Sequence, residues 1–334
     1  KFSNYTTLVT DSGALTTKVA NDVFLYGSFT DSKGTTIPYR YYLPEGYATS
    51  GETYPIFLYM HGNGSRGSDN KTQLTTNGAA LNNAVLNSDY PCIMIAPQCP
   101  SAPNEWVDHT KYPGSDAFAA DFADGALENM PYLYATMELL NDFIENRDLP
   151  IDTSRIYVTG SSNGGGATWT MTALHPRVFA AAIPLAGTGN STCPVTTEGA
   201  NALVNSYLNL PIWTFHGDAD TTLDISGTNG LVNAIRAAGG TKIKYTVIEG
   251  GDHNIWAAAA ATDGLVDWIF AQKNDHYFNT LMGAVAPEYD PLDVNKDGKV
   301  DILDVLAMLE KMMAGSSDYT LSTVVKTLKQ ITEA

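Results

Sequence analysis

Six short apolar runs, separated by stretches of helical period, constrain this chain more than any other feature. The runs are Ile56–Met60, Cys92–Ala96, Ile156–Thr159, Ala180–Leu185, Ile212–Phe215 and Lys244–Ile248. They lack strict polar–apolar alternation, as strands buried on both faces do. Between them, Leu133, Met137, Leu140 and Ile144 recur at helical spacing within Pro131–Arg147, and Pro131 suits a first helical turn. Further helices are expected over Gly165–Leu174, Gly227–Ala238 and Trp256–Gln272. Strand and helix in alternation predict an α/β protein with a doubly wound, mostly parallel sheet. Residues 1–50 read as strands and turns, with a β-rich stretch at 37–44. The alternation stops near residue 273. The chain therefore divides into a large domain over 1–279, a linker over 280–290 and a compact acidic-loop and helix module over 291–334.

The length of 334 residues allows one large core and a small appendage. No run of 18 or more apolar residues occurs, so no membrane span is expected. A formal net charge of −17 repels phosphate backbones and argues against a nucleic-acid partner. Charged residues make up 16% of the chain, below the usual level of about 25%; Asn, Thr, Ser and Gly supply the remaining polarity, a mix common in exported proteins. The sequence starts at Lys1 with no initiator Met or signal peptide, and reads as a mature or trimmed chain, with any export signal removed. Cys92 and Cys99 flank an apolar strand that spans about 20 Å when extended, too far for a disulfide, which needs Cα atoms within about 7 Å. Cys99 and Cys193 each follow a predicted core strand, and their pairing stays open.

Gly160-Ser161-Ser162-Asn163-Gly164 matches G-x-S-x-G. The pattern is weak alone, but here it follows the strand Ile156–Thr159 and precedes a helical stretch, the setting in which such a serine stands on a sharp turn at the sheet edge. Ser162 is the candidate nucleophile, and it needs a base. His253, in Glu249-Gly250-Gly251-Asp252-His253 after the last strand, is that candidate. Asp218, Asp220 and Asp224 compete to orient the imidazole. Asp220 is favoured because it falls beyond the strand end and the His216-Gly217 turn, and the order Ser162, Asp220, His253 is one used by hydrolytic triads. Two backbone N–H groups should stabilise a tetrahedral oxyanion, one from Asn163 and one from Asn63 in His61-Gly62-Asn63-Gly64. His61, Arg66, Asp69 and Asn70 read as loop-bracing residues. Trp106 and Trp256 are candidate substrate-stacking residues, with plain packing as the alternative.

With these motifs, residues 37–273 resemble the carbohydrate-esterase branch of the α/β-hydrolases, which includes acetylxylan esterases, feruloyl esterases and polyhydroxybutyrate-depolymerase-like enzymes. The resemblance is carried by Tyr39-Arg40-Tyr41-Tyr42-Leu43-Pro44-Glu45-Gly46-Tyr47, by His61-Gly62-Asn63-Gly64-Ser65-Arg66-Gly67-Ser68-Asp69-Asn70, by Ala96-Pro97-Gln98-Cys99-Pro100 and by the serine block, where Asn163 stands at a position often held by Met. It implies an α/β-hydrolase fold and a secreted serine esterase that needs no cofactor for catalysis. The implied substrates are feruloyl or acetyl ester decorations of plant cell-wall polysaccharides such as xylan. A slight preference for feruloyl or other aryl esters follows if Trp106 and Trp256 face the acyl group. A polyester depolymerase or peptidase of the same fold is the alternative, and a catalytically idle binding module is the alternative of another class.

Asp293, Asn295, Asp297, Lys299 (through its carbonyl), Asp301 and Asp304 have calcium-loop spacing, with Gly298 at the sharp turn. An Asp rather than a Glu at the last position resembles dockerin loops. A second copy begins 19 residues later, where Tyr319-Thr320-Leu321-Ser322-Thr323-Val324-Val325 echoes 300–306, but it has lost its acidic ligands. Two helices, over Val305–Lys311 and Val324–Gln330, and one Ca²⁺ are therefore expected. A cohesin-bearing scaffold protein is the partner the resemblance implies; the degenerate second copy leaves open an unusual cohesin or packing on the large domain.

Overall fold

The computed structural model describes residues 17–102, 104–107, 130–187, 204–282, 292–294, 300–316 and 318–333. Among these, eight strands form one sheet in the order β1-β2-β4-β3-β5-β6-β7-β8. They are β1 (Leu25–Thr30), β2 (Thr36–Tyr42), β3 (Tyr54–Met60), β4 (Ile93–Pro97), β5 (Ile151–Ser161), β6 (Ala181–Leu185), β7 (Ile212–Gly217) and β8 (Ile243–Ile248). β1 and β2 pair antiparallel, and β2 joins β4 antiparallel. Every pairing from β4 through β3 to β8 is parallel.

All seven residues of β3 are buried, because each face of the sheet is covered. Ile56, Leu58 and Met60 point into one core, which they share with Leu133, Met137, Leu140 and Phe143 of the helix Pro131–Asn146 and with Ala167 and Met171 of the helix Asn163–Leu174. Phe57 and Tyr59 point into the other, shared with Leu81 and Val85 of the helix Ala80–Leu86 and with Trp256 and Ile269. This two-sided burial is the reason the runs in the sequence do not alternate. Pro131 sits in the first turn of its helix, where its missing N–H has no partner to lose.

Most expected bounds in the large domain shift by no more than two residues, and three depart further. The stretch expected as one helix over Trp256–Gln272 is two, Trp256–Ala260 and Leu265–Ala271, broken at Gly264, whose φ of 71° only glycine adopts at no steric cost. β5 starts at Ile151 rather than Ile156, since Ile151 pairs with Tyr54 across an irregularity in register. The segment expected to open a linker at residue 280 still belongs to the large domain: Leu281 is buried in its core, Thr280 Oγ1 lies 2.8 Å from His175 Nδ1, and Asn279 Nδ2 donates to Asn141 and Glu145.

The last module contains the helices Ile302–Met313 and Leu321–Glu333, both longer than expected, packed through Leu292, Val305, Met308 and Val324. Cys92 and Cys99 are separate buried thiols, and burial pushes each up to about 12. Cys193 lies outside the described residues. No described helix is long and apolar enough to cross a membrane.

Candidate active site

The chain leaves β3 for β4 on one side and later adds β5 on the other, so the sheet order switches direction between β3 and β5. Crevices at the carboxyl ends of strands flanking such a switch are where ligands bind in open α/β sheets. Ser162 follows β5 there, and His61-Gly62-Asn63 follows β3. Ser162 has φ 55° and ψ −121°, a sparsely populated conformation for a residue with a Cβ. The turn is held by Ser162 N–H donating to Leu185 O (2.9 Å) and Gly166 N–H donating to Ser162 O (3.0 Å). It is also held by close packing, since a Cβ on Gly164 would lie 2.1 Å from Met60 O. The small residues of the motif therefore answer a backbone contact between the serine turn and the end of β3.

His253 Nε2 lies 2.9 Å from Ser162 Oγ, and His253 Nδ1 lies 2.7 Å from Asp220 Oδ2. The three side chains read from the sequence thus converge into one relay. The other two acids have separate duties. Asp218 Oδ1 accepts from Gly250 N–H at 2.7 Å and braces the histidine loop, while Asp224 Oδ1 accepts from Ser226 N–H at 2.8 Å and turns the chain into the next helix. Gly217 lets the two loops touch, because a Cβ there would sit 2.2 Å from Gly251 O.

Asp220 Oδ1 accepts from Thr222 N–H (2.8 Å) and Leu223 N–H (2.9 Å). Burial works against its charge, but the hydrogen bond from His253 and these two backbone donors outweigh it, and the carboxyl is held below the ordinary carboxylate range. His216, which the sequence reading did not single out, stands behind it. His216 Nε2 is 2.8 Å from Leu223 O, which can only accept, so this nitrogen carries the proton and also points at Asp220 Oδ2 3.2 Å away.

The Gly62–Asn63 loop faces the nucleophile: a Cβ on Gly62 would lie 3.2 Å from Ser162 Cβ. Asn63 opens a 3₁₀ turn and Asn163 opens an α-helix, positions where backbone N–H groups have no acceptor inside the helix. His61 is fully buried. Its Nε2 accepts from Cys99 N–H at 2.9 Å, so Nδ1 bears the proton and donates to Gly62 O at 2.7 Å. Burial lowers it to about 4 and keeps it neutral. Arg66, Asp69 and Asn70 brace loops, with Asp69 accepting from Gln98 Nε2 and Asn70 Nδ2 donating to Tyr39 O.

The aromatic residues depart from expectation. Trp106 is 1% exposed, donates its indole N–H to His61 O at 2.8 Å and packs against the His61 ring. It supports the oxyanion loop from within instead of stacking on substrate. Trp256 is likewise buried, edge-to-face with the His253 ring at 5.3 Å, and fixes the imidazole from the side. An indole in a long loop gave no sign in sequence of which side it would face.

In the last module, Asp293 and Asp304 are buried. Asp304 Oδ1 accepts from Val294 N–H (2.7 Å) and Oδ2 from Asp301 N–H (2.9 Å), while Asp301 caps the following helix through Leu303 N–H. The Asp293 and Asp304 side chains are both carboxylates, the oxygen-donor type that a hard cation takes. Asn295, Asp297 and Lys299 lie outside the described residues, and the described residues alone hold no group of three or more His, Cys, Asp or Glu arranged for a metal.

Residues 48–261 match the sequence profile of phospholipases and carboxylesterases. Among solved structures, a thermostable esterase is similar, with a TM-score of 0.59 and 28% identity, covering 76% of this chain and 64% of that one. A poly(3-hydroxybutyrate) depolymerase of Ralstonia pickettii is 27% identical over 105 residues, 31% of this chain and 19% of that protein. The chain thus spans less than two thirds of the length of either relative.

Proposed function

The chain belongs to the phospholipase/carboxylesterase family of α/β-hydrolases, and from this premise we propose that it is a serine carboxylic-ester hydrolase. One observation carries the reading: His253 bridges Ser162 and Asp220 at 2.9 and 2.7 Å. Ser162 Oγ attacks the ester carbonyl as His253 Nε2 takes its proton. Asp220 holds the imidazole in the required tautomer and balances its charge. The N–H groups of Asn63 and Asn163 receive the oxyanion. His253 then protonates the departing alcohol, and water, deprotonated by the same imidazole, clears the acyl-enzyme.

The proposed substrates are feruloyl or acetyl decorations of plant cell-wall polysaccharides such as xylan, met outside the cell. The internal packing of Trp106 and Trp256 removes the reason for preferring an aromatic acyl group. The proposed setting is supported by the last module, in which Asp293, Asn295, Asp297, Asp301, Asp304 and the Lys299 carbonyl would hold one structural Ca²⁺. Its two helices expose Ile302, Leu306, Leu309 and Met313 on one and Leu321, Val325 and Leu328 on the other, an apolar surface suited to a cohesin-bearing scaffold. Polyester depolymerisation is the second reading, favoured by the likeness to the Ralstonia depolymerase.

A panel of acetylated xylan, methyl ferulate, p-nitrophenyl acetate and a poly(3-hydroxybutyrate) film tests these readings. The expected result is turnover of the soluble esters that disappears in Ser162→Ala. Turnover that survives Ser162→Ala would refute the nucleophile, and film erosion without release from xylan or ferulate would replace the first reading with the second.

A further inference from the structure

A carboxylate outside the proton relay sits between the two arms of the oxyanion site. Glu105 Oε1 accepts from Asn63 Nδ2 at 3.1 Å and from an Arg66 guanidinium nitrogen at 3.2 Å. Glu105 Oε2 accepts from Asn163 Nδ2 at 3.3 Å. Asn63 follows β3 and Asn163 follows β5, and they are the residues whose backbone N–H groups are assigned to the oxyanion. One carboxylate therefore joins the side chains of both donors.

The surrounding contacts tighten this link. Asn163 Oδ1 accepts from Trp106 N–H at 3.0 Å, and Asn163 Nδ2 also donates to Val107 O at 2.9 Å. Arg66 donates to Asn63 O and to Asn104 O, each at 3.0 Å. The loop 104–107 is thus stitched to both donor turns, with Glu105 as the shared acceptor. Arg66 has a second use here. A lone carboxylate near a developing oxyanion would oppose it, and the adjacent guanidinium offsets that charge.

We propose that Glu105 is a positioning residue of the oxyanion hole, which sets the spacing of the Asn63 and Asn163 backbone donors. The inference rests on the esterase reading. Oxyanion donors act at 2.7–3.1 Å from the charge that develops, and a displacement of about 1 Å costs on the order of 10²-fold in rate. The oxyanion exists only past the ground state, so the loss falls on kcat and spares KM.

Glu105→Ala and Glu105→Gln test this on the full chain, with p-nitrophenyl acetate kinetics, the inhibition constant of phenylboronic acid, whose adduct on a serine is tetrahedral, and thermal unfolding as a folding check. Glu105→Ala should lose on the order of 10²-fold in kcat, with KM unchanged and boronic acid binding weakened in parallel. Gln keeps an oxygen for Asn63 and Arg66 and loses only the acceptor facing Asn163, so Glu105→Gln should recover most of the loss and stay within about tenfold of the parent. Parental kcat in a folded Glu105→Ala would overturn the proposal, as would a loss borne by KM or a Gln variant no better than Ala. If the Ala variant does not fold, the Gln variant decides: a fall in kcat and boronic acid affinity at constant KM supports the proposal, and parental values overturn it. A parent protein inert toward every ester overturns the esterase reading and this inference together, whereas an active parent with unaltered variants overturns this inference alone.

Discussion

Asp220→Asn isolates the part of the site that chooses the histidine tautomer. The replacement keeps the size of the side chain and removes one acceptor. In one orientation the amide oxygen keeps the Thr222 and Leu223 N–H bonds at 2.8 and 2.9 Å and turns its NH₂ toward His253 Nδ1. That nitrogen must then accept, so Nε2 carries the proton, faces Ser162 Oγ at 2.9 Å and cannot act as a base. In the other orientation the tautomer is correct, but the NH₂ meets two backbone N–H groups and both bonds are lost. The amide is neutral, and each buried backbone donor left unsatisfied costs about 1–3 kcal/mol, so the productive orientation lies about 2–6 kcal/mol higher. At 1.36 kcal/mol per decade this corresponds to a fall of about 30-fold to 10⁴-fold in kcat with little change in KM. Stopped-flow release of p-nitrophenol, which separates acylation from deacylation, reads it directly, and acylation should slow as much as turnover. A folded variant retaining kcat to within about tenfold would refute the tautomer argument.

Three further outcomes follow from the same contacts. Trp106→Phe leaves His61 O without its buried donor and should cost about 1–3 kcal/mol in a urea titration; its activity loss should be equal on acetyl and feruloyl esters, whereas a selective rise in KM for feruloyl esters would restore Trp106 as a substrate contact. His61 and His175 are both lowered by burial to about 4, so the unfolded chain binds protons that the folded chain refuses between that value and about 6.5, and stability rises with pH across this window. Urea midpoints should therefore fall from pH 6.5 to 4, by about 3 kcal/mol per histidine at most, and fall further below about pH 4 as Asp220 loses the charge that its partners favour; a flat profile from pH 7 to 4 would contradict the burial of these rings. Calorimetry with Ca²⁺ should report one ion, abolished by Asp293→Ala, with ester turnover unchanged by chelation; two tightly bound ions would contradict the reading of the second repeat.

The sheet was legible because its strands are buried on two sides: Ile56–Met60 and Ala180–Leu185 can be nothing but interior, and their order along the chain follows from the helices between them. The relay was legible because each member sits just past a strand end, where chain order and turn chemistry restrict the choice. What stayed hidden depends on contacts distant in sequence. The strand end and the His216-Gly217 turn favour Asp220 but leave Asp218 and Asp224 in competition; the Gly250 and Ser226 N–H groups remove those two by engaging them, and His253, 33 residues after Asp220, meets Asp220. Trp106 looked like a substrate platform until its indole was seen to donate to His61 O. Glu105 gave no signal, being a single acid in a loop, and acquires meaning only where β3 and β5 end side by side. The break at Gly264 was masked by apolar residues whose spacing continues across it.

The twisted backbone at Ser162 has a consequence for anyone altering this protein. Holding φ at 55° in a residue with a Cβ costs on the order of 1–3 kcal/mol, which glycine would not incur. Heat tolerance and turnover therefore pull in opposite directions at this one position. Selection of variants by survival at high temperature alone would drift toward hardy, inert proteins, and any such campaign needs a turnover screen at every round.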